Sequence, residues 1–243
     1  MSRVVNSGIL GQSHQQRPIR IQHPLVGHVP LLLLAGVHGD EIEGIRLVEQ
    51  LMADSLVLQL PTGVDLWVIP CLNPDGQALQ QRCNGRGVDL NRNLPSRDWI
   101  PEVLNPRYPP GPAAGSEVEN QILVQLIETL KPRAIFSIHS AFTDRCININ
   151  GSAQDKDESP VDEIARAMAD HSGYPITTDI GYPTPGSLGT WAGYERGIPT
   201  ITLEIPRGQD PDLVWQEHGR ALWAGLRQAF TCANASANGP EDS

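Results

Sequence analysis

Basic residues are too few in this chain to give it a nucleic-acid footprint. Eighteen Lys and Arg stand against 28 Asp and Glu, a net charge of −10 over 243 residues, whereas phosphate binding needs a basic patch. That scarcity still leaves room for a small anion held by a few local arginines. Cysteine is equally sparse. The four present, Cys71, Cys83, Cys146 and Cys232, form no CxxC pair and no dense framework. They are expected as free thiols in a reducing compartment. The opening "MSRVVNSGILGQSHQQ" lacks a basic stretch followed by an apolar one, so no secretory leader is expected. The longest clean apolar run, 30–37, is far too short to span a bilayer. These absences describe a soluble cytoplasmic protein with neither a nucleic acid nor a membrane as partner. Nothing in the pattern specifies an oligomeric state. Apolar residues at 40% and charged ones at 19% are ordinary for a globular chain.

What is present alternates between two periods. Short aliphatic runs at 31–37, 64–69, 134–138 and 200–205 read as strands, the first of them buried on both faces. Residues 19–21 read as a short edge strand, with 146–149 and 176–178 as further short strands. Helical spacing marks 41–53, 116–130, 160–171 and 211–230, with Ser116 and Glu119 placed as a capping box. Between 70 and 115 lies a long stretch rich in Pro, Gly, Asn and Arg, a length that usually signals function. A Gly/Pro-rich loop follows at 181–189. The spacing predicts an α/β fold, a mixed, mostly parallel central sheet flanked by helices. With no repeat or linker evident, it predicts one domain over 1–230 and a disordered tail over 231–243. In such folds chemistry gathers outside the carboxyl ends of the strands.

Three strand ends carry polar groups. His38 and Glu41 follow the first buried strand in "LLLLAGVHGDEIEG", His139 follows "AIFSI", and Glu204 ends "TITLE". Taken alone, each has an ordinary explanation. A strand-end His is usually just hydrogen-bonded, and Glu41, like Asp40 and Glu43, could simply be a helix N-terminal acid favoured by the dipole. Together they resemble a catalytic zinc set. A His, a Glu three residues on and a distant His leave a fourth position open for water. A separate carboxylate must then take that water's proton, and Glu204 is the candidate. Affinity order alone does not fix Zn²⁺ against other divalent ions. The loop "RCNGRGVDLNRN" adds arginine and asparagine suited to forked recognition of a carboxylate.

The motifs "HGDE", "NPDG", "GVDLNRN", "HS" and "LEIP", in this order and spacing, resemble the zinc metallocarboxypeptidase family. "GQSHQQRPI" resembles that family's opening G-x-S-x-x-x-x-P-I. The resemblance covers 11–227, nearly the whole chain. It implies one Zn²⁺ per chain on His38, Glu41 and His139. It implies Glu204 as general base, Arg82 beside the scissile carbonyl, and Asn91 and Arg92 on the substrate's terminal carboxylate. Tyr182 would cap the substrate, and Ser140 of the "HS" pair would contact it.

Within the family, "RCNGRGVDLNRNLP" and "GYPTPGSLGTWA" resemble the bacterial murein peptide amidases. That branch implies a small murein tripeptide as partner and cell-wall recycling as context. The bond cut would be the γ-D-glutamyl–meso-diaminopimelate amide, attacked by a zinc-bound water that Glu204 activates. Asp144 with Arg145, or Arg207, are the candidates to read the far amino acid centre of diaminopimelate.

Three alternatives remain. One is an N-acyl amino acid deacylase of the aspartoacylase or succinylglutamate desuccinylase type, which shares the HxxE and NR elements. Another is an ordinary carboxypeptidase acting on α-linked peptides. The last is a catalytically dead zinc or peptide-binding protein.

Overall fold

The computed structural model describes residues 6–142, 145–151 and 159–237. Their eight strands form one sheet in the order β1-β2-β4-β3-β5-β8-β6-β7. The middle is made of β3 (Val29–Ala35), β4 (Val64–Ile69), β5 (Ala134–Ala141) and β8 (Thr200–Pro206), all parallel. On one flank β2 (Pro18–Leu25) runs antiparallel to β4, and β1 (Asn6–Gln12) runs antiparallel to β2. On the other flank β6 (Cys146–Asn150) runs antiparallel to β8, with the two-residue β7 (Ile176–Thr177) beside it.

Alternation along the buried strands divides the core between the two faces. Leu31, Leu33 and Ala35 of β3 join one cluster, together with residues of α1 (Ile42–Ala53), α4 (Pro160–Ser172) and α5 (Pro211–Ala237). Leu32 and Leu34 join the other, with Leu123 and Ile127 of α3 (Val118–Leu130) and Trp191. All four leucines, 31 to 34, are fully buried, at about 1.5–3 kcal/mol of transfer free energy each. The two-sided sheet accounts for the continuous aliphatic run, since a strand covered on both faces needs no polar alternation.

Several expectations need correction. Residues 19–21 belong to a longer strand that is not at the edge, because β1 lies outside it. The pattern gave no sign of β1, which is mixed and mostly exposed. Ser116 and Glu119 do not cap α3. Its N-cap is Glu117, while the Ser116 hydroxyl donates to Glu117 and buried Glu119 accepts from the Asn84 amide. Strand β5 runs through "HS", so His139 sits within a strand, as does Glu204. The helix α5 continues through 231–237, which the sequence assigned to a tail. Asp144 lies outside the described residues. None of the four cysteines forms a disulfide. No helix among the described residues is long and apolar enough to cross a membrane.

The opening motif has a structural task. Ser13 Oγ donates to Asp75 Oδ1 at 2.6 Å, and Arg17 Nη1 donates to the same oxygen at 2.8 Å. The Gln15 amide donates to Asp75 Oδ2 at 2.8 Å. The turn between β1 and β2 is thereby tied to the first turn of α2 (Pro74–Leu79). Burial works to raise the Asp75 carboxyl, but these donors outweigh it and hold the carboxyl below its ordinary range. A depressed carboxyl stabilises the fold above the unfolded value near ~4 and loses that contribution as pH falls through the folded value. Asp75→Asn is therefore expected to cost about 1–3 kcal/mol at pH 7. In urea melts the gap to wild type should narrow as pH falls below about 4. A gap independent of pH would contradict the ionised-carboxylate account.

Candidate metal centre and active-site cleft

Two glycines place the first metal-ligating candidate. Gly36, just past β3, adopts φ +61°, and a Cβ there would come within 2.9 Å of Cys71 Sγ. The chain turns there as only glycine readily can. Gly39 lies so close to Gly76 of α2 that a Cβ would overlap its backbone. Between these fixed points sits His38, with Glu41 as the N-cap residue of α1.

His38, Glu41 and His139 are all buried and their donor atoms converge. His38 Nδ1 lies 2.8 Å from Glu41 Oε1, and His139 Nδ1 lies 3.0 Å from Glu41 Oε2. The two Nδ1 atoms are 3.1 Å apart. Tetrahedral ligands on bonds of about 2.0–2.2 Å stand roughly 3.4 Å apart, and the two Nδ1 atoms and the two Glu41 oxygens approach that spacing. Two imidazole nitrogens and a carboxylate thus bring their lone pairs to one point, each within 3.1 Å of a neighbouring donor atom. The donor set therefore suits a cation.

Asp89 supports this trio. Its Oδ1 lies 3.1 Å from His38 Nε2 and accepts from the Asn91 backbone amide at 2.9 Å. Its Oδ2 accepts from Arg82 Nε at 2.9 Å. Burial would raise this carboxyl, but His38 and Arg82 outweigh it and hold it far below the usual carboxylate range. An ionised Asp89 takes the Nε2 proton of His38 as a hydrogen bond and leaves Nδ1 with its lone pair toward the metal. Asp89→Asn is expected to weaken zinc binding by about 10–100-fold in chelator competition. Unchanged affinity would rule out this orienting role.

The remaining candidates meet in the same cleft. Arg82, Asn91, Arg92, Tyr182, Ser140 and Glu204 all line a cavity of about 360 Å³ with the three metal-ligating candidates. Sheet register sets Glu204 directly beside His139. Asp89 caps the short turn Leu90–Arg92, and the Asn91 Oδ1 accepts from the Leu188 amide at 2.9 Å. The Arg92 guanidinium lies over the Tyr108 ring at 5.1 Å and the Tyr182 ring at 5.9 Å, and those two rings stack. Arg82 also reaches Glu41 Oε1 at 3.3 Å. Burial, ahead of neighbouring charges, raises the Tyr182 hydroxyl above its ordinary value. The Ser140 hydroxyl is engaged elsewhere: it donates to buried Glu43, and its backbone amide donates to Glu41.

Not every polar residue of the Arg/Asn loop reaches the cleft. Asn93 turns inward to bind the carbonyls of Pro110 and Ala113. Arg86 instead faces Glu117 at 3.8 Å. Arg207 lines the cleft, paired with Asp40 at 2.5 Å. Sequence reasoning passed over Asp89, although it stands inside "GVDLNRN" two places before Asn91. It also passed over Tyr108, Asn148 and Thr202, which carry no motif.

Fold and cleft together define a metallohydrolase built on a carboxypeptidase-like sheet. Residues 1–222 match the zinc carboxypeptidase family, and the chain belongs to it: it is a zinc peptide hydrolase. Among curated relatives, murein peptide amidase A of Escherichia coli K12 is 33% identical over 186 residues, covering 72% of this chain and 70% of that protein. Murein peptide amidase A of Vibrio campbellii is 31% identical over 213 residues, covering 81% and 77%. The crystal structure of murein-tripeptide amidase MpaA from Escherichia coli O157 superposes with a TM-score of 0.74 at 27% identity, covering 99% of this chain and 95% of that one. Carboxypeptidase A from Helicoverpa armigera shares the fold, with a TM-score of 0.78 at 19% identity over 97% and 70%.

Proposed function

We propose that this hydrolase cleaves the amide bond between γ-D-glutamate and meso-diaminopimelate in small murein peptides. The observation that carries the reading is the convergence, in one cleft, of the His38–Glu41–His139 trio, Glu204 and the Asn91–Arg92 pair. The substrate follows the relatives named for murein peptides. His38, Glu41 and His139 would hold the zinc ion, which supplies Lewis acidity to the cleft. Arg92, walled by two tyrosine rings, grips the leaving residue's carboxylate with Asn91. Arg82 stabilises charge developing on the scissile carbonyl oxygen. Glu204 takes the proton of the attacking water and delivers it to the departing amine. Tyr182, half-exposed at the mouth, closes over the bound peptide and limits access of bulk water. Ser140 contributes through its place beside Glu41 rather than through its hydroxyl.

The test is mass spectrometry of L-Ala–γ-D-Glu–meso-diaminopimelate after incubation with zinc-loaded protein. Free diaminopimelate, absent when a chelator is added, is the expected product. An intact tripeptide beside cleaved α-linked peptides would replace this reading with that of an ordinary carboxypeptidase.

A further inference from the structure

One strand step below Glu204 the sheet carries a row of small polar side chains. Register sets Ser137 of β5 and Asn148 of β6 on either side of Thr202 in β8. One row higher stand His139, Glu204 and Cys146. Alternation puts both rows on the same face, and Thr202 and Asn148 line the cleft. Ser137 and Asn148 are more than nine-tenths buried. Neither the Ser137 Oγ nor the Asn148 Oδ1 has a hydrogen-bond partner among the described residues. Buried polar atoms are rarely left so, and each asks for an explanation.

The chemistry of the row is specific. Toward the cleft it presents one hydroxyl, that of Thr202, and one carboxamide, that of Asn148, and no charge. An apolar side chain lying on it would leave these groups unsatisfied. A lone ammonium or carboxylate would find no counter-charge in the row. Asp179, an acid elsewhere on the cleft wall, is exposed and accepts from the Gly181 amide. A group that is polar but carries no net charge satisfies the row, because an amide and a hydroxyl can both donate and accept. Distance agrees. Two residues along a strand are about 6.6 Å. A side chain of four carbon–carbon bonds reaches about 5 Å, so its end comes within a hydrogen bond of a row one step away.

We propose that Asn148, flanked by Thr202, is the specificity-determining contact for the far end of the leaving residue's side chain. The end it selects is polar without net charge: a carboxamide, a hydroxyl, or the zwitterion of a second amino acid centre. The choice of diaminopimelate, whose far centre is such a zwitterion, rests on the function proposed above. The pocket chemistry does not.

The experiment compares kcat/KM for one acyl group carrying diaminopimelate, glutamine, norleucine or lysine as leaving residue, in both γ- and α-linked series. Wild-type protein should favour diaminopimelate and glutamine over norleucine and lysine by about 10-fold or more. Asn148→Leu should lower kcat/KM on the first two by about 100-fold, mainly through KM, and leave norleucine within about threefold. Asn148→Asp, nearly the same shape, should shift preference toward lysine and covers the case in which the leucine variant does not fold. Retained zinc in each variant excludes damage to the metal centre. A wild-type preference for norleucine or lysine, or equal losses on all leaving residues, would overturn the assignment of Asn148. Preference for the α-linked series would instead overturn the γ-glutamyl bond, while the ratios among leaving residues still decide the pocket.

Discussion

Glu204→Gln should lower turnover by about two to four orders of magnitude while leaving the metal in place. The substitution keeps the side chain's size and its seat beside His139 in the sheet register but removes the basic oxygen. General-base catalysis by a positioned carboxylate contributes about 10²–10⁴-fold, so kcat should fall by about that factor. Elemental analysis should still find one zinc per chain, because the converging donors come from His38, Glu41 and His139. Turnover within tenfold of wild type would mean that another group takes the proton. Loss of zinc would mean that Glu204 belongs to the metal's own shell.

His139→Ala acts on the other half of the site. It removes one of three converging donors from the middle of β5 and leaves a His–Glu pair at 2.8 Å. Two ligands on adjacent turns of loop and helix do not complete a protein zinc site, which takes three side chains when catalytic. The expected result is zinc below detection after dialysis and no peptide hydrolysis. Zinc that stabilises the wild type does so by mass action, about 2.7 kcal/mol at a hundred times its Kd. Added zinc should therefore raise the melting temperature of wild type and leave that of His139→Ala unchanged. A variant that still melts higher with zinc would show that the metal sits on other residues.

The motifs were legible because this chemistry is written in dense local strings. His38 and Glu41 lie three residues apart, and Asn91 and Arg92 adjoin, so residue type, spacing and family resemblance mark them as candidates without a fold. Buried parallel strands were legible for the related reason that double-sided burial leaves an unbroken aliphatic run. What stayed hidden depended on partners far along the chain. The strand β1 has Ile9 largely exposed and no clean alternation, and it exists because β2 pairs with it. Glu119 looked like a capping acid, but its carboxylate is committed to Asn84 and to the His14 amide. Asp89 was in view as a letter of a motif, yet its task appears only once His38 and Arg82 are seen at its two oxygens. The "ANASA" near the end is helical as the last turns of α5, with Ala233 packed into the core and Ala235 and Ser236 exposed, a continuation its own composition cannot reveal. Asn148 means nothing until register places it beside Thr202.

That register makes the cleft a ruler with fixed divisions. The floor is a woven sheet whose side chains rise toward the cleft only at every second residue, so depth below Glu204 comes in increments of about 6.6 Å. No point substitution can slide β6 against β8 by half a division, because a one-residue slip would turn Asn148 into the opposite core and bring Ile147 or Ile149 to the cleft. Descendants of this chain that handle longer or shorter side chains must therefore change what stands on a division, by trading bulk at Asn148 or at Asn150 one mark below. The scaffold holds the scale constant while the markings vary.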